Sequence, residues 1–189
     1  VFLLNIRGIN EGVIGLMMLV AAVGMGIGAQ SGGRLSDHYG PRRFMIFGFL
    51  VAICSTMVMA FFHRESSVPL ILGALFVNGI AMGLWATPNQ VMTMNATPRA
   101  SYGPVGALVN LTRNTGNVTG QAIVAAVMTG VMSLQGLNIE LSQVGILPGS
   151  MEAFLYGWRV SYFMIIGFIS IALLGAFLSR SVQQPGLHQ

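Results

Sequence analysis

Apolar runs of twenty residues or more alternate along this chain with short polar connections. About twenty mostly apolar residues cover a hydrocarbon core as one α-helix. Five runs reach that length, at 12–33, 43–62, 69–90, 105–134 and 158–178. Each predicts a transmembrane helix, because lipid supplies no partners for backbone N–H and C=O groups and the helix satisfies them internally. The opening Val1-Phe2-Leu3-Leu4-Asn5-Ile6 reads as the tail of an earlier helix, so the chain reads as a piece of something longer.

The connections differ in character. Arg34 to Arg42 is short and charged, and His63 to Val68 forms a tight turn before Pro69. Asn95 to Pro104 carries Pro98, Gly103 and Pro104, as a loop does. Gln135 to Gly157 is the longest, with Glu140, Pro148, Gly149 and Glu152, and Ser181 to Gln189 is a polar tail.

Composition sharpens the assignment. The chain is 54% hydrophobic and 7% charged, whereas soluble domains carry about 25% charged residues. So few charges do not make a water-facing surface, so the exterior faces a lipid bilayer. The net charge of +4 comes from nine Arg scattered between apolar spans, with no basic stripe of the kind that binds nucleic acid. Cys54 is the single cysteine, which excludes an internal disulfide and a cysteine metal cluster. The three His are too dispersed for a metal site, and no nucleophile triad or phosphate-cradling loop is present. No cofactor or metal is implied, and the reading is of a non-enzyme.

Arginine also orients the chain. Arg34, Arg42, Arg43, Arg99 and Arg180 fall on one side of the spans, and Arg7, Arg64 and Arg159 on the other. The richer side is expected to be cytoplasmic, which gives a multi-pass protein of the cell membrane with its C-terminus inside.

Two patterns suggest mechanism. Gly24, Gly28 and Gly32 recur every fourth residue, as do Gly79 with Gly83 and Gly116 with Gly120. Small residues at that spacing let helix backbones approach closely in lipid, and Gly and Pro, such as Pro88, also mark helices that bend or slide. The fourth run carries Asn110, Arg113, Asn114, Asn117 and Gln121, spaced by three or four and so on one face. A charge at mid-membrane costs about 2.5–3.5 kcal/mol or more, so this face is expected to line a water-filled cavity or meet polar partners. If Arg113 merely snorkelled to the interface, the amides one and two turns deeper would have no purpose. Asn78, Thr87, Asn89 and Gln90 on the third run, with Trp85, furnish an opposite wall. No Asp or Glu lies inside a span, so a proton-carrying carboxylate is not in this piece.

The first connection reads Gly33-Arg34-Leu35-Ser36-Asp37-His38-Tyr39-Gly40-Pro41-Arg42-Arg43. It resembles the G-x-L-A-D-x-x-G-R-K/R signature of the major facilitator superfamily. Gly33, Leu35, Asp37, Gly40 and Arg42 match, Ser36 supplies the small residue, Pro41 replaces the first basic position and Arg43 adds one. The stretch from Gly79 to Pro88, the Pro98–Gly106 loop and Asn110-x-x-Arg113-x-x-Gly116-x-x-x-Gly120 are similar to the C-terminal half of the fourteen-helix drug:proton antiporters. The resemblance implies an all-α membrane fold whose five helices make most of one six-helix half. It implies a latch formed by Gly33, Asp37, Gly40, Arg42 and Arg43, and partners in the missing N-terminal half, a small-molecule substrate and the proton. The activity implied is proton-coupled drug efflux by alternating access. The alternatives are uptake of a small anion or metabolite, which Arg113 would pair, and an inactive truncated fragment.

Overall fold

A computed structural model describes residues 10–63, 65–136 and 150–178, with the backbone alone at Glu11 and Asp37. The described residues form five long helices and no strand. They are α1 (Glu11–Tyr39), α2 (Pro41–Ala60), α3 (Val68–Asn95), α4 (Tyr102–Leu134) and α5 (Ser150–Leu178), with one 3₁₀ turn at Arg99–Ser101 leading into α4. All five are long and apolar enough to cross a membrane, and the fold is an all-α membrane bundle. The expected segments Val1–Ile6 and Ser181–Gln189, and most of the 135–157 connection, lie outside the described residues.

Four helices extend past the expected apolar spans, most of all α5, which begins at Ser150 rather than Trp158, while α2 is displaced two residues toward the N-terminus. Its first two turns carry Glu152 and an exposed Tyr156 on one side, while Ser150, Ala153, Phe154 and Gly157 are buried on the other. Glu152 interrupts the apolar run close after Pro148 and Gly149, but one face of the segment is core.

Local chemistry sets the ends. The Asn10 side chain accepts a hydrogen bond from the Gly12 N–H at 2.8 Å and caps α1. At the other end the Gly40 N–H donates to the Ser36 carbonyl at 2.9 Å. Gly40 has φ of 87°, a left-handed conformation that glycine adopts without a Cβ clash. Pro41 then opens α2 at a position where its missing N–H costs nothing. One residue therefore reverses the chain between two membrane-length helices. α3 continues unbroken through Pro88, which is fully buried.

α1 and α3 run parallel and share the closest interface. A Cβ added to Gly24 or Gly28 would collide with the backbone of Phe76 or Ile80. One on Gly79 or Gly83 would collide with the backbone of Ala21, Met25 or Ala29. Gly32 lies 3.2 Å, measured from such a Cβ, from the Leu84 Cα. α2 packs on α3 through Gly48, whose added Cβ would stand 2.7 Å from the Trp85 nitrogen. With Ala52 it forms a small-residue pair four apart that was not among the predicted packing positions.

The main apolar core lies at one end of the bundle. There Met59 and Phe62 of α2's end meet Ile71 and Ala74 of α3's start, with Met128, Met132, Ala153 and Phe154 from α4 and α5. The Trp158 indole N–H donates to the Met59 carbonyl at 2.9 Å and ties α5 to α2 at that end.

Candidate functional site

α4 is 33 residues long, about 50 Å at 1.5 Å per residue, and its two parts have different surroundings. Its last turns are packed: Met128 and Met132 are buried, and a Cβ on Gly157 of α5 would stand 3.5 Å from the Met128 Cα. From Asn110 to Ile123 every residue is exposed. The helix is thus anchored at the core end and stands clear of its neighbours along its middle.

At about 100° per residue, Asn110, Arg113, Asn114, Asn117 and Gln121 occupy one sector of α4 about 100° wide. Val124, Met128, Val131 and Met132 continue the same sector toward the core end. Those four are buried or half-buried there. The polar stripe is therefore the extension of the face that α4 turns inward, not of the face carrying Leu108, Leu111 and Val118, which are exposed and apolar.

A contact crosses from the stripe to α3. The Arg113 Nη2 donates to the Gln90 Oε1 at 3.5 Å, at the outer limit of a hydrogen bond. Closer to the connection, the Met94 Cε lies 3.8 Å from a Cβ built on Gly106. Arg113 and Gln90 are brought together, with Asn110, Asn114, Asn117 and Gln121 exposed along the same face.

Of the other candidates on α3, Asn78 and Trp85 face α2, while Thr87 lies beside Gly33 of α1 and Asn89 is exposed. The Asn78 Nδ2 donates to the Ser55 Oγ at 3.1 Å, and that hydroxyl donates back to the Ala52 carbonyl at 3.0 Å. Trp85 is half-buried and stacks on Phe49, with ring centroids 5.3 Å apart and planes at 18°. Neither is brought against the α4 stripe in this arrangement. Ser55 and Phe49, their partners, were not singled out by sequence, since a hydroxyl and a ring inside an apolar run carry no signal until the neighbouring helix is known.

At the opposite end from the core, the signature residues surround the α1–α2 turn. The Ser36 hydroxyl, a buried group, donates to the Gly33 carbonyl at 2.8 Å. A Cβ on Gly33 would lie 3.7 Å from the Thr87 Cγ2 of α3. Arg42 is half-buried and reaches the end of α5: its Nε donates to the Ala176 carbonyl at 3.2 Å, and its Nη2 to the Phe177 carbonyl. Carbonyls of a last helical turn have no intrahelical donor and carry the negative end of the helix dipole, so a guanidinium suits them. Arg43 beside it is exposed. The Asp37 side chain lies outside the described residues. Gly116 and Gly120 of α4 have open space where a Cβ would be.

Comparison with known proteins gives a consistent likeness. The sequence profile of the Major Facilitator Superfamily matches residues 1–188. The chain is 26% identical over 148 residues to the lincomycin resistance protein LmrB of Listeria monocytogenes, covering 76% of this chain and 31% of that protein. It is 27% identical over 132 residues to the multidrug resistance protein Stp of Mycobacterium tuberculosis, covering 70% of this chain and 24% of that protein. It is 25% identical over 124 residues to the drug efflux pump JefA of the same species, covering 66% of this chain and 24% of that protein. The chain thus spans under a third of the length of these relatives.

Proposed function

The chain belongs to the major facilitator superfamily, and from that premise we propose that it is part of a transporter that expels drugs or other small organic molecules. The observation that carries the reading is the continuity of α4's inward face. It is sealed with Met128 and Met132 at one end and opens into Asn110, Arg113, Asn114, Asn117 and Gln121 at the other. A charged and amide-bearing face turned inward suits a solute pathway, since groups of that kind are too costly against lipid. The drug-resistance and drug-efflux designations of LmrB, Stp and JefA support drugs as the cargo class.

Transport proceeds by alternating access, with this bundle rocking against the rest of the transporter around a site near the membrane midplane. The proton is the coupling ion. Its carboxylate lies elsewhere in the transporter, because of the five acids of this chain Glu65 and Glu140 fall in connections by sequence, and Glu11, Asp37 and Glu152 lie in end turns of α1 and α5. The end bearing Gly40, Arg42 and Arg43 faces the cytoplasm, together with the C-terminus, and Gly33, Asp37 and Gly40 complete the cytoplasmic latch.

Replacing Arg113 by Ala in the complete transporter tests the site. Efflux from proteoliposomes with an imposed pH gradient is expected to fall at least about tenfold, with folded yield retained. Undiminished transport of every compound tried removes Arg113 from the pathway. Efflux that is equal with and without the gradient removes the proton.

A further inference from the structure

Resting on that reading of α4, we propose that this wall of the pathway is electropositive and selects solutes bearing an anionic group, a carboxylate or its equivalent, which seats on Arg113. The charge inventory supports it first. No Asp or Glu occurs between Glu65 and Glu140, so α3 and α4 are free of acids, as is α2. α1 and α5 carry theirs only in end turns, at Glu11, Asp37 and Glu152. Arg113, eleven residues into α4, is therefore a cation with no carboxylate at its depth in this bundle.

The donor count supports it again. A guanidinium carries five N–H donors in a planar fork. Among the described residues, its one hydrogen bond is to Gln90, at 3.5 Å to a neutral acceptor. An amide does not cancel a full charge, and the fork suits a carboxylate or phosphate held by two parallel bonds. Asn117 lies one turn deeper and Gln121 two turns deeper on the same face, and their amides offer both donors and acceptors to the body of such a solute. A cleft of one charge sign between low-dielectric walls concentrates counter-ions within it. Cationic solutes would be excluded from this wall by the same field.

The test reads the potential at the site without a known cargo. In the complete transporter, with Cys54→Ser and any other cysteine removed, Asn117→Cys puts a thiol one helical turn from Arg113. It is reacted with the anionic reagent sulfonatoethyl methanethiosulfonate and with the cationic trimethylammonioethyl analogue, each rate divided by that with a free thiol. The anionic reagent is expected to be favoured at least about tenfold. Arg113→Lys should keep that preference and Arg113→Gln should bring it close to unity.

Naphthalene-2-acetate should slow the labelling, while naphthalene-2-acetamide at the same concentration should not. That comparison decides the matter if Arg113→Gln fails to fold. A preference near unity with Arg113 intact, a preference that survives Arg113→Gln, or equal protection by acid and amide overturns the anionic selectivity and leaves the pathway standing. A thiol that neither reagent reaches in any state defeats the pathway itself.

Discussion

Arg42 sits in the first turn of α2, where the helix dipole disfavours a cation, yet its guanidinium bonds the last carbonyls of α5, where the dipole favours one. Charged hydrogen bonds of this kind contribute about 1.5–3 kcal/mol each when formed and well aligned. Arg42→Ala is expected to destabilise the detergent-solubilised protein by about 1–3 kcal/mol, read as a lower unfolding midpoint, with Arg42→Lys intermediate. Arg43→Ala, at an exposed position, should shift it by under about 0.5 kcal/mol. Equal effects at the two positions would remove the α5 contact from the account. The signature marked Arg42 as a residue of interest, but its partner was illegible. The contact joins positions more than 130 residues apart, and a helix-end carbonyl has no residue code. The same holds for Asn78, whose polarity was visible while its bond to Ser55 was not.

At the scale of the helix, glycine spacing identifies a face but not what lies against it. Gly24, Gly28, Gly79 and Gly83 fall where α1 and α3 backbones nearly touch, whereas Gly116 and Gly120, spaced alike, have open space around them. The difference lies in the neighbour, which local periodicity does not encode. Gly28→Leu or Gly83→Leu should force the α1–α3 pair apart and cost about 3 kcal/mol or more, beyond ordinary overpacking. Gly26→Leu, on the open side of α1, should leave folded yield unchanged in fluorescence-detected size-exclusion chromatography. A Gly26 variant as damaging as Gly28→Leu would locate the contact elsewhere. The five helices themselves were legible because the lipid requirement for about twenty apolar residues is so strict. The early start of α5 was not, because Glu152 breaks the apolar run just after Pro148 and Gly149, and which face of the segment is buried depends on α2 and α4.

Across the whole molecule, α4 is held at the end where Met59, Ile71, Met132 and Phe154 meet, and it is free along its middle. Motion of α4 relative to α3 is therefore cheapest at the opposite end, where Arg113 and Gln90 make a single long hydrogen bond. Joining Gln90→Cys to Asn110→Cys with a short bifunctional thiol reagent should arrest whatever transport the unlinked double variant retains, and cleaving the linker should restore that level. Transport that continues at full rate with the link complete would mean that α3 and α4 move as one body.

The methionine-rich junction at the core end gives α4 a fulcrum. Fifteen residues separate Met128 from Arg113, about 22 Å along the axis at 1.5 Å per residue. Tilting the rod by only about 10° about that point would sweep the guanidinium sideways by about 4 Å, roughly a side chain's breadth, with no bend in the helix. Leverage of that kind turns a slight loosening among soft thioethers into displacement of a charge.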